Sequence, residues 1–438
     1  MILSKNQIVT TSEGLSMKVI DLLGEGGQGE VYLVEANGKK YALKVYINRP
    51  SSDFIYNLKN NIQRKAPCDS FLWPKMFVNI DDKYFGYVMD LRPKNYVTFV
   101  SYLTGKEKFK DSLTQIRWCL ELCQAFKKLH ENGFSYQDLN DGSFFFDPDT
   151  GDLLICDNDN VTADKRNLGV LGKMRYMAPE IVRGDKDNNG HPQMPDTHSD
   201  RFSLAVILFL TLCLGNPFEG ERLRKYDIID EDSEYEMFGT NPVFIYHKVD
   251  ASNRPIRGYH TSIIKRWPHL PIYIKNAFHR TFVDGLQDRE NERTTEIEWI
   301  KLLTKYRDEI VKCQCGKTFI YGFNEKSINT HCPYCNKETK KFCYLVVGKH
   351  SIVLDLNKKI YKFHLDKYSS EYNDVVGEVI SNPKNPAIWG IKLHLDHSVD
   401  IKDKVGNVKT IPADGVIPII NNLKIKFSDD VIGEIRTN

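Results

Sequence analysis

No stretch of this 438-residue chain stays apolar long enough to cross a bilayer. The longest such run, Phe202–Leu214, falls short of the roughly 20 residues a spanning helix needs and reads as a buried core helix. The first residues, MILSKNQIVTT, lack the charged-then-apolar layout of a secretory leader. Neither sign of charge is in excess. Sixty basic against 58 acidic residues leave no global attraction for nucleic acid or for a membrane surface. Low-complexity tracts and internal repeats are also missing. The chain therefore reads as globular, cytoplasmic, and large enough for roughly two or three domains.

The ten cysteines fall into two sets. Cys68, Cys119, Cys123, Cys156, Cys213 and Cys343 are scattered in mostly apolar surroundings and read as reduced core thiols. Cys313-Gln314-Cys315 and Cys332-Pro333-Tyr334-Cys335 instead place four thiolates in two turns, a set suited to tetrahedral Zn²⁺. Four sulfurs leave no open position, so the metal would be structural. His331 reads as a bystander.

Phe134–Asp159 holds two apolar runs separated by a turn at Pro148–Gly151. This predicts one β-hairpin with Asp138 and Asp157 at its outer ends. Two carboxylates so placed can align a hydroxyl and hold a metal ion, which is the chemistry of phosphoryl transfer. Upstream, Val19–Val45 reads as three strands, and the first turn is Gly24-Glu25-Gly26-Gly27-Gln28-Gly29. Glycines let the backbone approach a phosphate and leave N–H groups free to donate. The loop leads into another strand rather than a helix, which argues against a dinucleotide fingerprint and a Walker loop. Lys44 lies in the next strand, within reach of such a phosphate. Phe54–Lys65 reads as a helix, Phe71–Val78 and Tyr84–Met89 as strands, and Leu113–Glu131 as an amphipathic helix.

These pieces together resemble a eukaryotic-type protein kinase. The glycine loop is similar to G-x-G-x-x-G-x-V, and Ala42-Leu43-Lys44 to the A-x-K strand. Tyr136-Gln137-Asp138 stands where the family has H-R-D, and Asp157-Asn158-Asp159 where it has D-F-G. Ala178-Pro179-Glu180 is A-P-E unchanged, and Arg293 resembles the arginine that pairs with its glutamate. The YQDLND loop and the cysteine pairs resemble a bacterial subgroup of such kinases with a zinc ribbon. The resemblance implies ATP with Mg²⁺ or Mn²⁺. Gly24, Gly26, Gly27 and Gly29 would cover the phosphates, which Lys44 would contact. Val31, Ala42 and Phe145 would sandwich adenine, with Tyr87–Met89 at the junction of two lobes. Asp157 and Ser143 would hold the metal, and Asp138 would align the substrate hydroxyl.

The departures from the family matter as much. Ser143 replaces the metal-binding asparagine, with Asp141 or Asp159 as compensating carboxylates. Asn158 replaces the phenylalanine. The helix Phe54–Lys65 has no glutamate for Lys44, leaving only Asn57, Asn60, Asn61 or Gln63 as neutral partners. Gln137 replaces the arginine that clamps an activation-loop phosphate, and Thr162 and Tyr176 are the only hydroxyl side chains between Asp157 and Glu180. Activity independent of loop phosphorylation is therefore expected. Asn140 replaces a lysine, and Lys173 stands where a threonine is usual. Lys173 either restores that cation or is a solvated loop residue. The acidic run Asp230-Glu231-Asp232 is a solvated face or a dock for a basic substrate.

Trp267–Thr281 and Thr295–Val311 read as helices. Beyond Tyr344, short β-rich runs (YLVV, SIVLDL, KIYKFHL, VVGEVI, IWGIKL, VIPII, LKIKF) suggest a β-sandwich. It resembles a forkhead-associated (FHA) domain in spacing but lacks the phosphothreonine-reading pattern, so a docking role is expected. The expected architecture is α+β. A bilobal kinase-like domain spans 1–308, with lobes of about 1–89 and 90–308. A four-cysteine zinc ribbon (309–343) and an FHA-like sandwich (344–438) follow. The expected function is a Ser/Thr protein kinase acting on a protein substrate. A cognate phosphatase or von Willebrand-type protein is the partner that the resemblance implies. The alternative is a pseudokinase that binds nucleotide and acts as a scaffold.

Overall fold

In the computed structural model, which describes residues 1–81, 83–166, 168, 172–187, 189–321 and 331–437, period-two alternation builds the N-terminal sheet. Its strands are β1 (Ile8–Thr10), β2 (Ser16–Glu25), β3 (Gly29–Ala36), β4 (Lys39–Tyr46), β5 (Met76–Asn79) and β6 (Phe85–Asp90), and helix α1 (Ser52–Gln63) lies between β4 and β5 in sequence. The sheet is antiparallel in the order β1-β2-β3-β4-β6-β5. Leu43 and Val45 enter one apolar cluster with Met17, Val34 and Val88. Ala42 and Tyr46 enter another with Phe54, Leu58, Phe85 and Tyr87. The alternation therefore puts Lys44 on the face of Ala42 and Tyr46. Ser51 caps α1 by accepting from the Phe54 N–H at 3.2 Å.

Two expectations shift here. The strand expected over Phe71–Val78 starts only at Met76. Residues before it pair with the distant hairpin instead: the Leu72 N–H donates to the Ile155 carbonyl at 2.8 Å. Pro74 has no N–H to give a ladder. Tyr87–Met89, expected at the lobe junction, lie inside β6, because each pairs with β4 or its neighbour and the chain leaves the sheet only after Asp90.

The following part is helical around a small hairpin. Helix Ser112–Glu131 is capped by Asp111, and helix Thr197–Cys213 by a reciprocal Asp196–Ser199 box. The second is buried all round from Phe202 to Cys213, as its composition implied. Strands Phe144–Phe146 and Leu153–Ile155 pair in register Phe146 to Leu153. Asp147 closes their turn by accepting from the N–H groups of Asp149 and Thr150. A Cβ on Gly151 (φ +79°) would lie 2.2 Å from the Thr114 carbonyl, so no other residue fits there. Glu180 and Arg293 form a buried two-pronged pair at 2.8 and 2.7 Å. Asp230 in the acidic run caps the short helix Glu231–Tyr235.

The expected helix Trp267–Thr281 is split. A short turn, Trp267–His269, precedes Pro271, and the helix proper is Ile272–Phe282. The last helix, Glu296–Glu309, stops before Val311. The buried Lys358 ammonium takes the carbonyls of Arg307 and Ile310 at 2.9 and 2.5 Å. This closes the helix end, and Ile310–Lys312 then pairs as a strand with Thr318–Ile320.

The chain divides into two compact units, Met1–Trp267 with Lys275–Trp299 and Pro268–Ile274 with Ile300–Asn438. The second contains a β-sandwich. One sheet joins Cys343–Val347, His350–Val353, Ile432–Thr437, Lys424–Lys426, Val399–Lys402 and Val408–Ile411. The other joins Lys359–Tyr361, Val375–Asn382, Asn385–Leu393 and Val416–Pro418. Their inner faces share one core, including Leu345, Ile352, Val379, Ile391, Ile417 and Ile425. In KIYKFHL only Lys359–Tyr361 is strand. Lys362–Leu365 turns into a helix because the His364 ring nitrogen Nδ1 accepts the Tyr361 N–H at 3.0 Å.

Candidate functional site

Lys44 is delivered by β4 with a side chain that is 7% exposed. Its ammonium lies 2.8 Å from Asp159 Oδ2, 3.3 Å from Asp157 Oδ1 and 3.4 Å from Gln28 Oε1. Burial opposes the charge, and the carboxylates of Asp159 and then Asp157 outweigh it, holding the ammonium protonated well above the usual lysine range. The Tyr46 hydroxyl donates to the same Asp159 oxygen.

This geometry corrects the expectation that Lys44 has only neutral amides to meet. Asn57 and Asn61 do face inward from α1, but both donate to the Val161 carbonyl, at 2.8 and 2.7 Å. Asp159, expected as a compensating metal ligand, is fully buried, and its Oδ2 is taken by Lys44 and Tyr46. The sequence reading did not pair Lys44 with Asp159 and missed Tyr46. A signal existed for Tyr46, because two residues past Lys44 on a strand means the same face.

The glycine loop leaves room. A Cβ on Gly24 or Gly27 would meet no described atom within 4 Å, so packing does not demand glycine there and the space above the loop is open. At Gly29 the demand is steric: a Cβ would sit 2.3 Å from the Val45 carbonyl. Val31, Ala42, Met89 and Phe145 meet in one apolar cluster with Leu72 and Leu154. The Arg92 guanidinium lies over the Phe145 ring at 4.5 Å.

Asp157 is half exposed and sits in the left-handed region (φ 55°), a conformation a non-glycine residue holds only under constraint. The constraint is its neighbour. Asn158, fully buried, donates to the carbonyls of Leu72 and Ile155 at 3.0 and 2.9 Å. It therefore pins the segment by hydrogen bonds where the family uses an apolar ring.

Asp200 holds the loop before Asp138 by accepting from the N–H groups of Tyr136 (2.6 Å) and Gln137 (3.2 Å). Asp200 also meets His130 at 3.1 Å, and Glu296 meets the other ring nitrogen at 3.0 Å. Burial disfavours a charged ring, and the two carboxylates overcome it and push the His130 pKa up to about 9. Asn140 Nδ2 donates to Asp138 Oδ1 at 2.9 Å. Burial lifts the Asp138 pKa above its ordinary range, with Asn140 opposing and the Asp157 charge adding to the rise. The Ser143 hydroxyl, fully buried, points to the Asp138 carbonyl at 3.5 Å. Lys173 reaches Asp141 at 3.1 Å and is more than half exposed.

The open glycine loop, the half-exposed Asp157 carboxylate and the charged Lys44 fit a nucleotide phosphate with a divalent cation. A second metal set lies in the other unit. The sulfurs of Cys313, Cys315, Cys332 and Cys335 lie within 4.8 Å of one another. Cys313 to Cys335 is 3.7 Å and Cys315 to Cys332 is 3.8 Å. A zinc tetrahedron with bonds near 2.3 Å has edges of about 3.8 Å, whereas a disulfide needs about 2.05 Å, so the set fits zinc. Two matched turns build it, with Gly316 (φ 81°) and Asn336 (φ 55°) in the left-handed position after each pair. His331 lies outside the cluster. Cys332 is itself core, packed with Val311, Phe319, Phe342, Tyr344 and Val353. The cysteine turns and the first sandwich strands thus share one apolar cluster. The aromatic stretch between the pairs falls partly outside the described residues.

Comparison with known proteins adds the family. The sequence model of the protein kinase domain matches residues 17–282. The chain is 27% identical over 223 residues to the serine/threonine-protein kinase SCH9 of Saccharomyces cerevisiae, covering 48% of this chain and 25% of that protein. It is 27% identical over 217 residues to the Arabidopsis thaliana serine/threonine-protein kinase AtPK1/AtPK6, covering 47% and 43%. It is 26% identical over 227 residues to human ribosomal protein S6 kinase alpha-4, covering 47% and 28%. The matched part spans less than half the length of each of these relatives. With more than half of its residues matched by that model, the chain belongs to the protein kinase domain family.

Proposed function

We propose that this protein transfers the γ-phosphate of ATP to Ser or Thr hydroxyls of a protein substrate. The observation that carries the reading is Lys44 held 3.3 Å from Asp157, with Asp157 near enough for its charge to act on Asp138. In this reading Gly24, Gly26, Gly27 and Gly29 present backbone donors to the phosphates, and Lys44 contacts them. Val31, Ala42, Met89 and Phe145 form the apolar walls for the base. Asp157, with Ser143 assisting, would hold Mg²⁺ or Mn²⁺, which neutralises phosphate charge when bound. Asp138 accepts a hydrogen bond from the substrate hydroxyl and orients its oxygen for in-line attack. The assay is incubation with γ-labelled ATP, Mg²⁺ and a mixed protein substrate. Alkali-labile label supports Ser/Thr transfer, and alkali-stable label would point to tyrosine.

Two features set the regulation expected of it. Thr162 is fully buried, its hydroxyl donating to Asn57 Oδ1 at 3.3 Å, and Tyr176 is 2% exposed. Neither hydroxyl is presented to another kinase. Phosphatase treatment is expected to leave the transfer rate unchanged, and Thr162→Ala to remain active. Loss of activity on dephosphorylation would refute this. Lys173 supplies the cation that Asn140 does not. Lys173→Thr is expected to lower kcat about tenfold with little change in nucleotide affinity, and full turnover would sink the idea.

The buried Ser143, with its hydroxyl on the Asp138 carbonyl, favours a second reading, a nucleotide-binding scaffold without turnover. The domain limits proposed are 1–308, 309–343 and 344–438. The two-sheet sandwich supports an FHA-like docking module, and the cysteine cluster supports a structural zinc ribbon of the bacterial YQDLND type. The docked partner would be a cognate phosphatase or a von Willebrand-type protein.

A further inference from the structure

A phosphate-binding lysine is useful only if something holds it, and α1 turns no carboxylate inward: its single acidic residue, Asp53, is exposed in the first turn. Its inward face is Phe54, Asn57, Leu58 and Asn61, and both amides are committed to the Val161 carbonyl. The carboxylate comes from Asp159, which is fully buried. Its Oδ2 takes the Lys44 ammonium at 2.8 Å together with the Tyr46 hydroxyl. Both donors rise from β4 on the same face, and the acceptor lies two residues past Asp157. Without Asp159, the ammonium would keep only one carboxylate, Asp157 at 3.3 Å, the oxygen set that a metal would need.

We propose that Asp159, braced by Tyr46, is the positioning residue for Lys44, and that it draws the ammonium away from Asp157 so that Asp157 stays available to the metal of the bound nucleotide. This rests on the kinase reading above. α1 is then a fixed strut. The setting of Lys44 does not wait for a helix to swing, because its anchors are the next strand residue but one and the segment that already carries Asp157. The hydrogen bonds that Asn57 and Asn61 donate to the Val161 carbonyl tie α1 to that same segment.

The test uses the full chain and a fluorescent ATP analogue titrated at rising Mg²⁺. Asp159→Asn is expected to raise the Mg²⁺ concentration for half-maximal nucleotide binding by roughly tenfold, and Tyr46→Phe to raise it in the same direction by less. The shift should vanish when Lys44→Met is added, because no ammonium then competes for Asp157. A merely structural role for Asp159 would not depend on Lys44. A folded Asp159→Asn protein with wild-type Mg²⁺ dependence overturns the proposal. So does a shift that persists undiminished beside Lys44→Met. If Asp159→Asn does not fold, Tyr46→Phe with and without Lys44→Met carries the same comparison. Wild-type protein that binds nucleotide but transfers no phosphate overturns the kinase reading alone, and the Mg²⁺ shift still decides this proposal. Wild-type protein that binds no nucleotide overturns both.

Discussion

Asp138→Asn is expected to lower phosphate transfer by a factor on the order of 10³, with nucleotide affinity nearly unchanged. The substitution keeps the shape of the side chain and its contact with Asn140, and removes only the carboxylate charge that receives the hydroxyl. The loop around it should survive, because its frame comes from elsewhere: Asp200 holds the N–H groups of Tyr136 and Gln137, and Asn140 closes its own turn on the Gly142 N–H. The measurement is transfer of label from γ-labelled ATP, beside a fluorescence titration of nucleotide binding. Label that persists at the wild-type rate in the variant means that Asp138 does not align the hydroxyl. Label missing from both proteins, with nucleotide still bound, favours the scaffold.

With zinc in the four-cysteine cluster, as proposed, its removal is expected to have the largest effect on stability. A structural zinc site contributes an apparent 10–16 kcal/mol or so in small zinc-binding peptides, comparable to the whole stability of an ordinary domain at about 5–15 kcal/mol. Here the effect should spread beyond the cysteine turns. Cys332 is 1% exposed and packs against Phe342, Tyr344 and Val353, so a charged unliganded thiolate there would disrupt the first sandwich strands. Strong chelation should abolish the cooperative unfolding transition of the C-terminal unit and release one equivalent of zinc to a colorimetric chelator, and Cys332→Ser should abolish the same transition. A melt that does not change after complete zinc release would show that the cluster is dispensable.

Much of this was readable from local pattern. The strand–glycine loop–strand, the strand lysine and the hairpin between Asp138 and Asp157 all follow from alternation and turn chemistry. The Glu180–Arg293 pair follows from motif order. What failed was long-range. The sequence shows four candidate carboxylates, Asp138, Asp141, Asp157 and Asp159, but not which one turns inward. That depends on Asp157 being left-handed, which Asn158 enforces through carbonyls 3 and 86 residues away. The early end of the last helix came from Lys358, a residue 48 positions past Ile310. The strands Val399–Lys402, Val408–Ile411 and Ile432–Thr437 went unnoticed because at least half of each faces solvent: Asp400 and Lys402 in the first, all but Ile411 in the second, and Ile432, Arg436 and Thr437 in the third. Their short apolar halves fall below the runs that stand out.

The buried Thr162 and Tyr176 hydroxyls have a consequence for timing. An enzyme that stores a phosphate on its own loop remembers a past stimulus until that phosphate is removed. With both hydroxyls between Asp157 and Glu180 packed inside, this protein, under the function proposed above, would keep no such record on that loop. The duration of any signal it sends would then be written on its substrate and erased there, and its own output at any instant would track nucleotide, metal and occupancy alone.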